Sequence, residues 1–284
     1  MHLLRRQQVF LRSLLSRTFR DMEEAYFENN RVDALAMERL TASPYVMDIH
    51  GFCGMTVVTG FAGTDISKVA RFLNSTERLR LGLQAAKGVA DVHSIGVYGG
   101  QGNNAGSKVS LVHNDLNLAN VVVTLDHRPV LNDFNVAILL MKHNVTGETC
   151  QFSSRFPNPQ WKSPEEQVLE EDDDPDTPPM VSEKIDIYAL GNVFYRLAAG
   201  KSPWKAKNAV RLTPEEKATV ARRKRIEGQH HPPFPEGMDV EDPATRVLLQ
   251  AMEMCYRYQP QERPTAHEVV HFLEEQLALL DKAK

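Results

Sequence analysis

Apolar and polar residues follow two different periods along this chain, and each change of period marks a new element. From Asn30 to Leu40 the apolar positions Val32, Leu35, Ala36 and Leu40 keep helical spacing, and Ser43-Pro44 closes the helix because a residue before proline avoids helical backbone. Tyr45-Val46-Met47-Asp48-Ile49 predicts a strand, and Met55 to Thr59, rich in β-branched residues, predicts a second. Gly60-Phe61-Ala62-Gly63 then supplies flexible backbone. A helix begins with cap-like chemistry at Ser75-Thr76-Glu77-Arg78, and Leu79, Leu83, Ala86, Val89, Ala90 and His93 keep its buried stripe.

Gly96 to Gly106 is too rich in Gly and Asn for helix or strand. The stretch has neither G-x-G-x-x-G spacing nor a P-loop Gly-Lys-Ser/Thr, so it reads as a surface insertion and not a phosphate cradle. Beyond it, Val121 to Thr124 and Pro129 to Leu131 predict two short strands joined by a turn at Asp126-His127-Arg128. Such a hairpin puts Asn120 and Asp133 at neighbouring strand ends.

Composition narrows the class without naming it. The chain has 284 residues, 42% of them hydrophobic and 25% charged, with a formal net charge of −4, which fits a soluble protein long enough for a sizeable core or two lobes. No nucleic-acid partner is implied, and no apolar run approaches the roughly 20 residues of a membrane span. Cys53, Cys150 and Cys255 are odd in number and lack metal or disulfide spacing, so reduced thiols and a cytoplasmic location are expected. Residues 1–20 carry five arginines and no acid, with Leu3, Leu4, Phe10, Leu11, Leu14 and Leu15 on one helical face; this is the pattern of a mitochondrial presequence or of a basic surface helix.

The candidate chemistry lies at Leu111-Val112-His113-Asn114-Asp115-Leu116-Asn117-Leu118-Ala119-Asn120, with Asp133-Phe134-Asn135 beyond the hairpin. One carboxylate there can accept a hydroxyl proton, while an amide oxygen and a second carboxylate can hold Mg²⁺ against the phosphates of a nucleotide. The plainer reading makes Asp115 and Asp133 turn-forming residues. The segment resembles the protein kinase family, whose His-Arg-Asp-Leu-x-x-x-x-Asn loop precedes Asp-Phe-Gly.

Further motifs follow in the family's order. Trp161-Lys162-Ser163-Pro164-Glu165 resembles the Ala-Pro-Glu closing an activation segment. Asp186 to Gly191, with Val193, Phe194 and Leu197, resembles helix F, whose Asp binds the catalytic-loop backbone. Gly200 to Trp204 resembles its exit, and Arg263-Pro264-Thr265 the Arg-Pro before the last helix. The resemblance implies a buried Glu165 to Arg263 ion pair. Aminoglycoside and choline phosphotransferases share the loop but not these later motifs, which favours a protein substrate.

The resemblance implies an α+β, bilobal fold with a mainly helical large lobe and an abbreviated β-rich small lobe. Residues 21–62 would form the partial small lobe, with helix C, strands 4 and 5 and the hinge, and 63–284 the large lobe. Val9 to Leu14 gains a third reading, the remnant of small-lobe strand 3, which makes 1–20 a strand remnant or a basic amphipathic segment. By the same resemblance Asp115 and Asn117 are the catalytic residues, with Asp115 as the base, and Asn120 and Asp133 hold Mg²⁺. ATP lies among Arg12, Thr59 (the gatekeeper), Phe61, Ala62, Asn120 and Asp133.

Departures from the family leave a second function open. No Gly-rich strand pair precedes Val9, which a truncated chain or a degenerate small lobe would each explain. Arg12 stands where a phosphate-binding Lys is usual, and Asp33 where helix C carries Glu; a wide, planar guanidinium does not replace a compact ammonium. The expected function is a Mg²⁺-dependent protein kinase, and the alternative is a catalytically impaired pseudokinase acting as a binding scaffold. Asn117, where serine/threonine kinases place Lys, and Trp161 lean toward tyrosine-kinase-like enzymes, leaving Ser/Thr or Tyr open. Asn135 replaces the Gly of Asp-Phe-Gly and tolerates left-handed backbone. Asn114 replaces the Arg that pairs with activation-loop phosphate, so behaviour independent of phosphorylation at Thr146, Thr149, Ser153 and Ser154 is expected. Glu165 to Asp176 reads as a mobile acidic loop, Arg222 to Arg225 as an exposed helix end, and His230 and His231 as surface residues.

Overall fold

Three antiparallel strands and one helix form the N-terminal part of the fold, in a computed structural model describing residues 9–13, 24–54, 56–95, 109–141, 143, 145–146, 149–154, 158–169, 172, 177–205, 211–229, 231–236 and 238–283. Strands β1 (Val9–Ser13), β2 (Ile49–Cys53) and β3 (Thr56–Gly60) pair in the order β1-β3-β2, with helix α1 (Glu24–Arg39) between β1 and β2 in the chain. Arg12 lies opposite Val57 and Phe10 opposite Thr59, so the backbone of Val9–Ser13 takes the strand among the three readings of this segment. The Arg12 side chain, the rest of residues 1–20, Met55, the insertion Gly96 to Gly106, most of the acidic run after Leu169, and His230 lie outside the described residues.

The remaining elements are β4 (Ala62–Asp65), α2 (Ile66–Val69), α3 (Ser75–Ser94), β5 (Leu111–Val112), β6 (Val121–Thr124), β7 (Pro129–Leu131), β8 (Ile138–Leu139), β9 (Phe152–Ser153), β10 (Met180–Val181), α4 (Lys184–Ala199), α5 (Pro214–Arg225), α6 (Pro243–Cys255) and α7 (Ala266–Lys282). This is the α+β arrangement expected, with a small sheet and a larger helical body. Helix α4 is buried from Ile185 to Ala198 because it is apolar on nearly every side, and α3, α6 and α7 pack around it in one core. Among the described residues no helix is long and apolar enough to cross a membrane.

Helix α3 starts one residue earlier than its sequence cap. Asn74 accepts from Glu77 N at 2.9 Å while Glu77 accepts from Asn74 N at 2.8 Å, a reciprocal cap. Midway along α3, a Cβ on Gly88 would lie 2.9 Å from Leu131 Cγ and 3.0 Å from the Tyr45 carbonyl. The bare glycine lets α3 press against β7, and so sets the depth of the hairpin that carries Asp133.

Two expectations from the apolar pattern are corrected. Tyr45 to Ile49 is not a strand of the small sheet: Met47 N donates to Leu131 O at 2.9 Å and Leu131 N to Tyr45 O at 2.8 Å, with Val46 bridged parallel to Leu131. Its apolar residues fill the large-lobe hairpin, and the sheet strand begins only at Ile49. Gly60 to Gly63 is drawn into strand pairing as well. Gly60 ends β3 and donates to Asp48 O at 2.9 Å, Ala62 opens β4 against Thr124 of β6, and neither glycine takes a positive φ.

The charged runs are corrected as well. Arg222 and Arg223 are exposed as expected, but Lys224 is 0% exposed and Arg225 donates to Asp172 and to Gln167 O, so half of this helix end is tied down. Among the described acidic residues, Glu166 is buried and Glu165 is paired. His231 is half-buried and stacks on Phe234, with ring centroids 5.4 Å apart.

Glu165 meets Arg263 as the resemblance implied, with Oε1 and Oε2 accepting from Nη1 at 2.6 Å and Nη2 at 2.7 Å. Arg263 is 0% exposed at its side chain, and its remaining donors reach the carbonyls of Arg257, Tyr258 and Lys184. Glu165→Ala strands that buried guanidinium and is expected to lower unfolding stability by about 3–5 kcal/mol, read from the denaturant midpoint.

Candidate active site

The site is built outward from one carboxylate in the core. Asp186, in the first turn of α4, accepts from His113 N at 2.7 Å, Asn114 N at 2.9 Å and His93 Nε2 at 3.1 Å. Burial pushes its carboxyl up, but the His93 bond, the charges of His93 and His113 and the His113 amide outweigh that, leaving it below the usual range. Held this way, Asn114 adopts left-handed backbone at φ 64°, which Asn tolerates better than most residues, and the chain turns so that Asp115 follows.

Asn114 also takes a role that its position did not announce. Its Nδ2 donates to Val136 O at 3.0 Å, tying the loop to the segment after Asp133. The Lys162 ammonium donates to Asn114 O at 3.2 Å and pairs with Glu166 at 2.9 Å, both side chains being buried. Glu166 further accepts from Ser163 N and Oγ at 2.8 Å each and from Ser154 Oγ at 3.1 Å. Ser154 is therefore a buried partner of a carboxylate and not an open acceptor for phosphate.

Asp115 and Asn120 are joined by hydrogen bonds, and a backbone bond sets the residue before Asp133 beside Asn120. Asn120 Nδ2 donates to Asp115 O at 2.8 Å and to Asp115 Oδ2 at 3.1 Å, leaving the Asn120 amide oxygen as its acceptor end. Asn132 N donates to Asn120 O at 2.9 Å, which puts Asp133 one residue beyond that bond. Burial raises the Asp115 carboxyl above its usual range, while His113, Lys162, Asn117 and Asn120 pull it back. Asn117 carries no charge to the site: its Nδ2 donates to Asp115 O at 3.0 Å and its Oδ1 accepts from Ala119 N at 2.9 Å, an arrangement that shapes the loop.

Asp133 takes left-handed backbone at φ 68°, and Asn135 does not take a positive φ. The tolerance expected of Asn135 is thus not called upon; the strained position is Asp133. Phe134 packs against His113 at 4.6 Å, and its amide donates at 2.7 Å to Asp33, a buried acid of α1. Thr59 is buried with its hydroxyl donating to Gly60 O at 3.1 Å, Ala62 is half-buried, and Phe61 is exposed between them. Among the described residues no three His, Cys, Asp or Glu side chains cluster for a metal.

The sequence profile described as the protein kinase domain matches residues 72–272, more than half of the chain. The chain belongs to the protein kinase family. This kinase is 30% identical over 157 residues to mitogen-activated protein kinase kinase kinase 5 of Arabidopsis thaliana, covering 55% of this chain and 18% of that one. It is 27% identical over 208 residues to the probable serine/threonine-protein kinase PBL28 of the same plant, covering 69% and 48%, and 24% identical over 209 residues to a probable inactive receptor kinase, also of that plant, covering 70% and 27%. The chain thus spans less than half the length of each of these relatives.

Three contacts of this kinase were missed by sequence reasoning, although each had a signal. Lys162 stands four residues before Glu166, the spacing of a helical-type ion pair. Lys224 follows Val220 and Ala221 at i+4 and i+3, on their buried stripe, but its basic neighbours obscured it. Asp33 shares the buried face of Ala36 and Met37.

Asp186→Asn removes a charge that two backbone amides and His93 satisfy, and is expected to destabilise the kinase by about 3 kcal/mol or more. Because folding holds the Asp186 carboxyl below its unfolded value of about 3.9, its contribution is full at neutral pH and shrinks as pH falls below roughly 4. Denaturant midpoints of the two forms should accordingly converge in acid.

Proposed function

We propose that this chain transfers the γ-phosphoryl group of ATP to a hydroxyl of a protein substrate with Mg²⁺ as the metal. One observation carries the reading: Asn120 is bonded through its side chain to Asp115 and through its carbonyl to Asn132, which fixes a carboxylate, an amide oxygen and Asp133 relative to one another. In this reading Asp115 accepts the proton of the attacking hydroxyl, and its raised proton affinity suits that task. Asn117 holds the turn in which Asp115 sits.

The donor set fits the metal, since one amide oxygen and one carboxylate are hard ligands too few to enclose a cation alone, and Mg²⁺ characteristically keeps waters and phosphate oxygens in its shell. Asn120 and Asp133 would hold it, and when bound it would offset charge on the phosphate oxygens. The nucleotide would lie along the backbone of Thr59, Phe61 and Ala62, with Arg12 in the adjoining strand. The names of the serine/threonine kinases among the relatives support serine or threonine as the acceptor.

A scaffold reading is favoured by Asp33, whose carboxylate accepts from the Phe134 amide where a kinase of the usual pattern offers helix C's acid to a lysine. Thermal melting with Mg²⁺ and ATP separates the two. At 100 times its Kd the nucleotide should add about 2.7 kcal/mol to the folded state, and Asp115→Ala should keep that shift while slowing phosphate transfer by roughly 10²–10⁴-fold. Absence of any shift selects the scaffold, and a shift with transfer untouched by Asp115→Ala removes Asp115 as the base.

Regulation by phosphate is proposed to be absent. Aspartate at Thr146, Thr149 or Ser153 should change transfer by less than about twofold, because Asn114 offers no cation to order a phosphate. Ser154→Asp is expected to behave differently, lowering the melting temperature by setting a second carboxylate against Glu166.

A further inference from the structure

The loop Asn158 to Ser163 forms the wall beside the catalytic loop: Trp161 and Lys162 border a narrow cleft shared with Asn114, Asp115 and Leu116. A polypeptide presenting a hydroxyl to Asp115 must pass this wall. No regular secondary structure supports the loop, so its carbonyls need other donors.

Most of those donors come from side chains, although Ser163 O also accepts from Glu166 N at 3.2 Å. Asn158 O accepts from Trp161 N and Lys162 N, at 3.0 and 3.1 Å, within the loop itself. Trp161 O accepts from Asn192 of α4 at 2.9 Å, and Lys162 O and Ser163 O from Gln167 Nε2 at 2.9 Å each. The rest fall to one residue. Lys224 of α5 donates to Pro159 O and Lys162 O at 2.7 Å each, with Gln160 O at 3.5 Å as a longer third contact.

The surroundings of Lys224 are those of a site built for a cation. Its Nζ sits 4.9 Å from the centre of the Tyr188 ring and 5.1 Å from that of Trp204, two electron-rich faces, and the side chain is sealed from solvent. Carbonyls and ring faces only accept, so the three N–H groups of an ammonium suit the cage better than any neutral side chain. Burial pushes the Lys224 amine well down, Glu166 and Glu165 pull it back up, and Arg263 adds to the push.

We propose that Lys224 is the positioning residue for protein-substrate binding: its ammonium fixes the backbone of Pro159 to Lys162 in the shape against which a hydroxyl-bearing polypeptide docks beside Asp115. The proposal rests on the phosphoryl-transfer reading and deepens it, by placing the control of substrate affinity in α5 and not in phosphate on the preceding segment. Lys224 touches neither nucleotide nor acceptor; it acts through the loop.

The test uses the full chain with Lys224→Met, which keeps side-chain length without charge, and Lys224→Arg, which keeps charge on a wider head. An arrayed library of Ser-, Thr- and Tyr-containing peptides, incubated with Mg²⁺ and ATP, supplies the best wild-type substrate. Lys224→Met should raise the KM for that peptide at least tenfold while kcat stays within threefold and the Mg-ATP melting shift is unchanged; Lys224→Arg should fall between. A KM unchanged in both variants, or a loss confined to kcat, overturns the proposal. If Lys224→Met does not fold, a KM for Lys224→Arg within twofold of wild type overturns it, and a rise of threefold or more supports it. If the wild type transfers no phosphate, which counts against the phosphoryl-transfer reading alone, retention of the same peptides on the array decides: tenfold weaker retention by Lys224→Met supports the proposal, and equal or absent retention overturns it.

Discussion

A single carboxylate organises the centre of this protein kinase-family fold. Asp186 lies on a helix that is apolar on almost every side, where an ionised group persists only if hydrogen bonds replace its lost water. Two of those bonds come from consecutive amides of a loop, His113 and Asn114, so satisfying the charge and shaping the loop are the same event. From there the chain of contacts runs outward without a break. Asp115 follows Asn114, Asn120 binds Asp115, Asn132 binds Asn120, and the amide after Asp133 is taken by Asp33 of α1. The core helix, the catalytic loop, the hairpin and the small-lobe helix form one connected framework.

Much of this was legible in the sequence, and the physical reason is locality. Asn120 and the residue before Asp133 are neighbours because a short hairpin leaves them few alternatives, and Glu165 and Arg263 find each other because ordered motifs fix the segments that carry them. The failures share a different cause. Lys224 and Asp33 are answered by backbone groups, which every residue has and which leave no trace in a list of side chains, and Lys162 divides its donors between a backbone carbonyl and Glu166. A charged residue whose partner is a carbonyl looks the same in sequence as one facing water. Apolar alternation misled at Tyr45 to Ile49 because it reports burial without naming the sheet, and the glycines at 60 and 63 sit in ordinary extended backbone that their freedom did not serve.

The segment between Asp133 and Glu165 is held by carboxylate chemistry built into the chain. Glu166 gathers Lys162, Ser163 and Ser154, and Lys162 in turn reaches the catalytic loop, so a fixed negative charge stands at a junction of these segments. Strands β9 and β10 add a short ladder on the same segment. Lys224 completes the set from the far side, and the loop beside Asp115 is thereby supported by two buried cations and one buried anion.

The stretch from Pro44 to Met47 joins the sheet-bearing part to the helical body through more than its covalent bonds. Arg128 donates to Pro44 O at 3.0 Å, and the two Leu131 bonds lie immediately after. A seam stitched at three successive points resists sliding, so the position of the sheet over the helical body is set by main-chain bonds and not by side-chain packing alone.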